Sequence, residues 1–220
     1  MFSYVFMKIL EGRPKSYDRW MDRVSRGRVR EIKEAVAAEI KPGDRVLEIG
    51  CGTGELSSMM IARGAAVDGF DLNPAMLEVA EERLRTEGLE GRLSLLAMGV
   101  GGMDGLQTDL YDAVVSTLVL SELSDDERRF ALRQASRALK PGGRLIIADE
   151  VVPRTRGRRI LHALVRIPVT VATYLVSRAA TRPIQDLVGD MAEAGISFGS
   201  EKRSHADAFT LVVGRKESGP

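Results

Sequence analysis

Cysteine is almost absent from this chain of 220 residues. Cys51 stands alone, so no internal disulfide can form. Histidine is nearly as scarce. His162 and His205 have no second Cys or His at ligand spacing, which excludes a structural Cys/His zinc site. No carboxylate motif suggests another metal, and none is expected. Aromatic residues make up only 5%, so the core must be built from Leu, Val, Ile, Ala and Met. No charge sign dominates: 32 Lys and Arg face 31 Asp and Glu, which gives no global pull toward nucleic acid. Long apolar runs are missing too. The uncharged stretch between Arg166 and Arg178 is 11 residues, whereas a spanning helix needs about 20. The opening MFSYVFMKIL lacks the basic start and small-residue cleavage site of a signal peptide. A cytoplasmic protein is expected.

What the chain does have is alternation. DRVLEIG (44–50), AAVDGFD (65–71), RLSLLAM (92–98), YDAVVST (111–117) and RLIIADEV (144–151) are short β-rich runs. Helical patterns fall between them at 54–63, 73–88 and 125–139. Asn73 is a candidate N-cap, Pro74 sits in the first turn, and Gly88 lies past the end. Lys140-Pro141-Gly142-Gly143 is expected to break the chain between the last helix and the fifth strand. Residues 196–216 read as two final antiparallel strands. The fold class is therefore α/β: a mostly parallel seven-stranded sheet with an antiparallel C-terminal hairpin and helices on both faces. One domain is expected over residues 1–220. It comprises a helical cap (1–40), a cofactor-binding core (41–151), a basic helical insertion or lid (152–195) and the terminal hairpin (196–216). Ligands of such sheets bind beyond the carboxyl ends of the strands, which is where chemistry should be sought.

The first such place is Glu48-Ile49-Gly50-Cys51-Gly52-Thr53-Gly54, between a strand and a helix. One glycine explains a turn, but three at alternate positions suit a close backbone approach to a ligand. A dinucleotide fingerprint would carry a third glycine where Glu55 stands. An acid at that helix start repels a pyrophosphate. S-adenosyl-methionine carries an ammonium, a carboxylate and a sulfonium but no phosphate, so acids near the loop are acceptable. Asp71 ends the second strand 21 residues after Gly50 and is spaced to accept ribose hydroxyls. It could instead be a helix-capping Asp. Leu72 would flank an adenine.

Three segments carry a family resemblance. LEIGCGTGELS (47–57), FDLNPAMLEVA (70–80) and ALKPGGRLIIADE (138–150) resemble the motifs of class I S-adenosyl-methionine-dependent methyltransferases, with their Rossmann-like fold. The resemblance covers roughly residues 40–150. It implies S-adenosyl-methionine as cofactor and S-adenosyl-homocysteine as product. It places Tyr17, Glu48, Gly50, Cys51, Gly52, Gly54, Asp71, Leu72, Met76, Met98, Gly99, Val100, Ser116, Thr117 and Leu118 around the cofactor. One departure stands out. Many members carry an acid after strand three, but this chain reads Ala97-Met98-Gly99-Val100, so Met98 packing and backbone groups are expected to hold the adenine. Segments 3–11, 16–28, 97–104, 120–127 and 147–154 also look similar to small methyltransferases encoded beside corrinoid proteins, which implies a corrinoid protein as one partner. The stretch around Tyr17-Asp18 resembles quinone-biosynthesis C-methyltransferases.

The acceptor side is less defined. Ser116 to Glu122 follows strand four and carries no His where many relatives have one. Glu122, Asp149 and Glu150 are the candidate catalytic acids, each with a plain capping alternative. Tyr4 and Tyr17 either fold over the cofactor or belong to the core. Between Glu150 and Asp186 stand seven arginines (154, 156, 158, 159, 166, 178 and 182) and no acid, with Leu161, Leu164, Val165 and Val169 on one helical face. Three readings stay open for it: a lid over an apolar acceptor, a helix lying on an anionic membrane surface, or an ordinary packed or dimer helix. The chemistry expected is in-line methyl transfer to a small, partly apolar molecule, with no nucleic acid involved. A non-catalytic module that binds the cofactor, and a quinone-type C-methyltransferase at a membrane surface, are the alternatives.

Overall fold

The computed structural model describes residues 12–89, 91–154, 183–204 and 209–217. Two helices come first, α1 (Pro14–Ser25) and α2 (Arg28–Ala38). The alternating part follows: β1 (Arg45–Ile49), α3 (Glu55–Ala62), β2 (Ala66–Asp71), α4 (Pro74–Glu87), β3 (Leu93–Ala97), β4 (Tyr111–Thr117), α5 (Asp125–Ala138) and β5 (Leu139–Glu150). Helix α6 (Leu187–Glu193) and strands β6 (Ile196–Ser204) and β7 (Phe209–Lys216) end it.

The strands make one seven-stranded sheet in the order β3-β2-β1-β4-β5-β7-β6. The first five are parallel, and β7 runs antiparallel between β5 and β6, as the alternation and the final hairpin foretold. Successive side chains on a strand point to opposite faces, and both faces are covered. Leu47, Ile49, Val114, Leu145 and Ile147 pack under α5 and α6 with Leu132, Ala135 and Met191. Val46, Val67, Val115 and Ile146 pack under α2 and α3 with Val36, Leu56, Met60 and Ile61. Burial on both sides explains why these strands are nearly continuous apolar runs. Buried ion pairs fasten the periphery. Arg144 of β5 holds Asp44 and the Glu39 carbonyl, and Arg128 of α5 holds Asp190 of α6 at 2.8 Å.

Local signals were largely sound. The Asn73 side chain accepts from the Ala75 N–H, and Gly88 closes α4 in the left-handed region. One expectation needs correction. Lys140-Pro141-Gly142-Gly143 does not stand outside the sheet. Leu139 already pairs with Tyr111, and the register shifts before Arg144 pairs with Ala113. The four residues form an irregularity inside β5, which Gly142 permits with φ +75°. Of the expected insertion 152–195, residues 155–182 lie outside the described residues. Its flanks are tied by a parallel bridge between Val151 and Ile184. Among the described residues no helix is long and apolar enough to cross a membrane.

Candidate functional site

The strand order reverses direction between β1 and β4, and a cavity of about 690 Å³ opens beyond the carboxyl ends of these strands. Its floor is the turn after β1. The Gly50 and Cys51 N–H groups both donate to the Phe70 carbonyl, at 2.9 and 3.0 Å, which folds the turn back on β2. Its three glycines do different work. Gly50 has φ +71°, and a Cβ there would lie 2.3 Å from Val119 Cγ2. Gly54 has φ +72°, and a Cβ would lie 2.9 Å from Ala80 Cβ on α4. Gly52 has φ +54°, and a Cβ would meet nothing within 4 Å. Gly50 and Gly54 are thus explained by packing, and Gly52 by openness toward the cavity.

The Asp71 carboxylate is already committed to the backbone. One oxygen accepts from the Gly52 N–H at 2.9 Å, the other from the Asn73 N–H at 2.9 Å. Asp71 therefore organises the glycine turn and the entry to α4, whose N-cap is Asn73. Each oxygen retains a second lone pair. Leu72 beside it is 78% exposed at the cavity rim. Met76, Met98, Gly99 and Val100 complete that end.

Glu48 is the buried acid of the site. It lines the cavity with only 3% exposure and accepts from the Ser57 hydroxyl. Burial pushes its carboxyl up to about 7, although the Ser57 bond and the nearby Lys33 charge pull it down; Asp71 adds to the rise. Such a group gains most from a fixed cation. Cys51 lines the same floor, and burial together with Glu48 and Asp71 pushes its thiol far up, so it is a neutral apolar surface there.

Glu55 behaves differently from the sequence expectation. Its carboxylate pairs with Lys33 Nζ of α2 at 2.7 Å and does not line the cavity. Burial opposes ionisation, but the Lys33 charge and hydrogen bond hold it below the usual range. Lys33 itself lines the cavity. No motif pointed to it, because α2 read only as a lead-in helix. The same is true of the clamp above the glycine turn. Asp18 of α1 accepts from Thr53 Oγ1 at 2.7 Å and pairs with Arg83 of α4, whose Nε donates to the Thr53 carbonyl at 3.0 Å. This clamp carries Tyr17 and Met21 of α1 to the cavity wall. Tyr4 lies outside the described residues.

The opposite wall comes from the end of β4. Thr117, Leu118, Val119, Glu122 and Leu123 line it. Leu118 takes φ +62°, uncommon for a residue with a side chain, and its N–H is held by the Ala148 carbonyl at 2.9 Å. Ser116, expected near the cofactor, is fully buried and does not line this cavity. The Ser116 and Thr117 hydroxyls have no hydrogen-bond partner among the described residues. Asp149 and Glu150 do not line this cavity either. Asp149 is buried beneath the β4 loop, where it accepts from the Ser121 N–H at 3.2 Å and the Glu150 N–H at 2.7 Å. Burial pushes its carboxyl up to about 6, against the lowering bonds from Ser121 and Glu150. Strand-end side chains alternate, and an Asp two residues after Ile147 turns into the loop instead of outward. Glu122 alone of the three expected acids lines the cavity. Glu127 also does, though Ser124 holds its carboxylate in a capping box and keeps it below the usual range.

Comparison with known proteins identifies this arrangement. The family described as Methyltransferase domain matches residues 46–143. The ubiquinone/menaquinone biosynthesis C-methyltransferase UbiE of Pectobacterium carotovorum is 30% identical over 172 residues, covering 71% of this chain and 67% of that protein. The chain belongs to the S-adenosyl-methionine-dependent methyltransferases. Methyltransferase GfsG of Streptomyces halstedii is 36% identical over 121 residues, covering 53% of this chain and 41% of that protein. The chain thus spans about two thirds of the quinone-pathway relatives' length and less than half of GfsG. An O-methyltransferase family protein from Burkholderia thailandensis shares the fold, with a TM-score of 0.71 at 21% identity, over 94% of this chain and 60% of that one. The corrinoid-associated resemblance finds no counterpart among these three proteins.

The family's cofactor is S-adenosyl-methionine, and the residues present fit it. Gly52 leaves open space where a backbone must approach a ligand. Glu48 is a buried carboxylate suited to an ammonium, and the Thr117 hydroxyl is a buried polar atom in need of a partner.

Proposed function

We propose that this methyltransferase acts on a small acceptor with apolar character. The observation that carries this reading is the β4 wall: Leu118, Val119 and Leu123 present an apolar surface to the same cavity that Glu48 and Asp71 line. Bound S-adenosyl-methionine supplies a methyl carbon made electrophilic by its sulfonium. The residues divide the remaining work. Asp71, with the Gly52 turn it holds, would take the ribose hydroxyls. Glu48 would hold the ammonium, and Leu72, Met76 and Met98 would flank the adenine. Gly54 and Ser116 then act indirectly, through the shape of the turn and of strand β4. The apolar wall excludes water and aligns the acceptor for in-line displacement, which asks mainly for position. A protonated acceptor, such as a phenol or carbon acid, needs a base within reach, and Glu122 is the acid placed for it. Asp149 positions the loop that carries Glu122.

The names of the quinone-pathway relatives favour an aromatic, quinone-like acceptor methylated at carbon, which the same wall would accommodate. The division into cap, core, lid and hairpin, and a cytoplasmic location, belong to this reading.

Calorimetric titration with S-adenosyl-methionine and with NAD(P)H tests the foundation. Selective micromolar binding of the first is expected. Binding of neither, or of the nicotinamide, would overturn the assignment. Methyl transfer from labelled cofactor to a panel of phenols, quinols and amines then tests the acceptor class. Tight binding with no turnover on any of them would favour the non-catalytic module.

A further inference from the structure

Helix α1 has two working faces, and only the inner one is used by the site above. Tyr17 and Met21 point into the cavity, and Asp18 ties the helix to Thr53 and Arg83. The outer face carries Trp20, 46% exposed, and Val24, 38% exposed, one turn apart. Trp20 is the only tryptophan in the chain. Arg23 lies over its ring, 5.7 Å from the centroid. Arg13, Lys15, Arg19 and Arg26 are exposed around the same helix, and none of these five cations is in an ion pair among the described residues. The helix and its two caps hold just two acids, Asp18 and Asp22, and Asp18 is engaged inward. A chain with a net charge of +1 thus gathers five exposed cations and its one tryptophan on one short helix and its caps.

We infer that the outer face of α1 seats on an anionic lipid surface, with Trp20 and Val24 at the headgroup boundary and the arginines on lipid phosphates. Tryptophan suits a boundary that is apolar at one end and wet at the other. Arginine stems lie along apolar surface while their heads stay with phosphate. Amphipathic helices of this composition bind in the interface plane, by apolar burial and attraction to anionic lipid together. Single-stranded nucleic acid is the less fitting polyanion: its grooves use several interleaved aromatics, whereas this face has one, beside an aliphatic side chain. Because the inner face of α1 lines the cavity, seating the outer face brings the cavity wall beside the lipid. An apolar acceptor dissolved in that lipid then has a short path inward.

The whole chain is mixed with vesicles of phosphatidylglycerol and phosphatidylcholine in equal parts, and with phosphatidylcholine alone. Trp20 emission and co-sedimentation are the readouts. Expected are a blue shift and co-sedimentation on the anionic vesicles only, both lost at about 0.5 M salt. Arg19→Glu with Arg23→Glu should lower vesicle partitioning roughly tenfold or more. Trp20→Ala, followed by sedimentation, should lower it several-fold. Both variants should keep the wild-type melting temperature and cofactor affinity, since none of these side chains lines the cavity. The proposal is overturned by an unshifted emission, by vesicle binding that survives both variants, or by tighter binding to a single-stranded polynucleotide. Vesicle binding without cofactor binding would leave this surface standing and remove the methyl-transfer reading instead.

Discussion

The two walls of the cavity are built by different means. The wall formed by β1, β2 and their turns is held by named bonds: Asp71 to two backbone N–H groups, Glu48 to Ser57, and Asp18 to Thr53. The wall formed by the end of β4 is held from beneath, by Asp149 on Ser121 and the Ala148 carbonyl on Leu118, and it leaves two buried hydroxyls without a partner among the described residues. A cofactor is the same molecule in every turnover and in every relative, so its wall can be specified atom by atom. An acceptor differs between relatives, so its wall is a shaped loop on a rigid support. Both walls bury one carboxyl, and the pH at which each is felt separates them.

Glu48 gives the largest expected effect. Burial lifts it from the ordinary 4.5 to about 7, so the folded chain holds more protons across that window. Stability therefore falls as pH rises through it, and the whole cost, on the order of 3 kcal/mol, is present above about pH 7. Asp149 adds a similar fall that is complete near pH 6. The loss between about pH 6 and 7 thus belongs mostly to Glu48. Melting temperatures across pH 5 to 8 should decline in the wild type, and Glu48→Gln should flatten the part above about pH 6. Equal slopes in both proteins would mean that the cofactor wall stores no such cost. Glu48→Gln should also bind the cofactor more weakly at pH 8, where the wild-type carboxylate is charged.

Next in size come the glycines, which ask whether the turn is built for packing or for a ligand. Gly54→Ala should destabilise the fold by about 2 kcal/mol, because a Cβ meets Ala80 and the backbone is left-handed. Gly52→Ala carries only the backbone penalty, about 1 kcal/mol, yet should lose more cofactor affinity than stability. Chemical denaturation and calorimetry on both variants decide it. If Gly52→Ala binds the cofactor normally, the open space above Gly52 is not where the ligand approaches.

Asp71→Ala should weaken S-adenosyl-methionine by more than tenfold, about 1.4 kcal/mol or more. It should also loosen the glycine turn, since two N–H groups lose their acceptor. Unchanged affinity would remove the ribose assignment and leave Asp71 a purely structural residue.

The unequal legibility of the two walls in the sequence follows from the same physics. Strand alternation, the Asn73 cap and the Gly-x-Gly-x-Gly turn are local patterns, and local patterns can be read from one chain. So was Asp71, whose position after β2 is fixed by the crossover. Lys33, Asp18 and Arg83 were not read, because their meeting at the turn depends on how α1 and α2 lie across the sheet. Asp149 was read as a candidate catalytic acid or a plain cap at the end of strand five, and it is buried. Its partner Ser121 stands 28 residues away in the turn after β4, and no spacing rule reports that contact. For Glu55 the charge was visible in the sequence and its partner Lys33 was not.

The smallest effect gives the finest test of the β4 wall. Thr117→Val replaces a buried hydroxyl by a methyl group of nearly the same shape. Where a hydroxyl has no partner, its removal is neutral or stabilising, by up to about 1 kcal/mol, because an unmet desolvation cost disappears. Ser116→Ala should behave the same way, and it serves as the control, since Ser116 does not line the cavity. The two should part on addition of ligand. If the Thr117 hydroxyl is completed by cofactor or acceptor, Thr117→Val will gain stability alone but lose part of the ligand-induced rise in melting temperature. Ser116→Ala will keep all of it. If both variants keep the full rise, neither hydroxyl meets the ligand, and the β4 wall contributes shape alone.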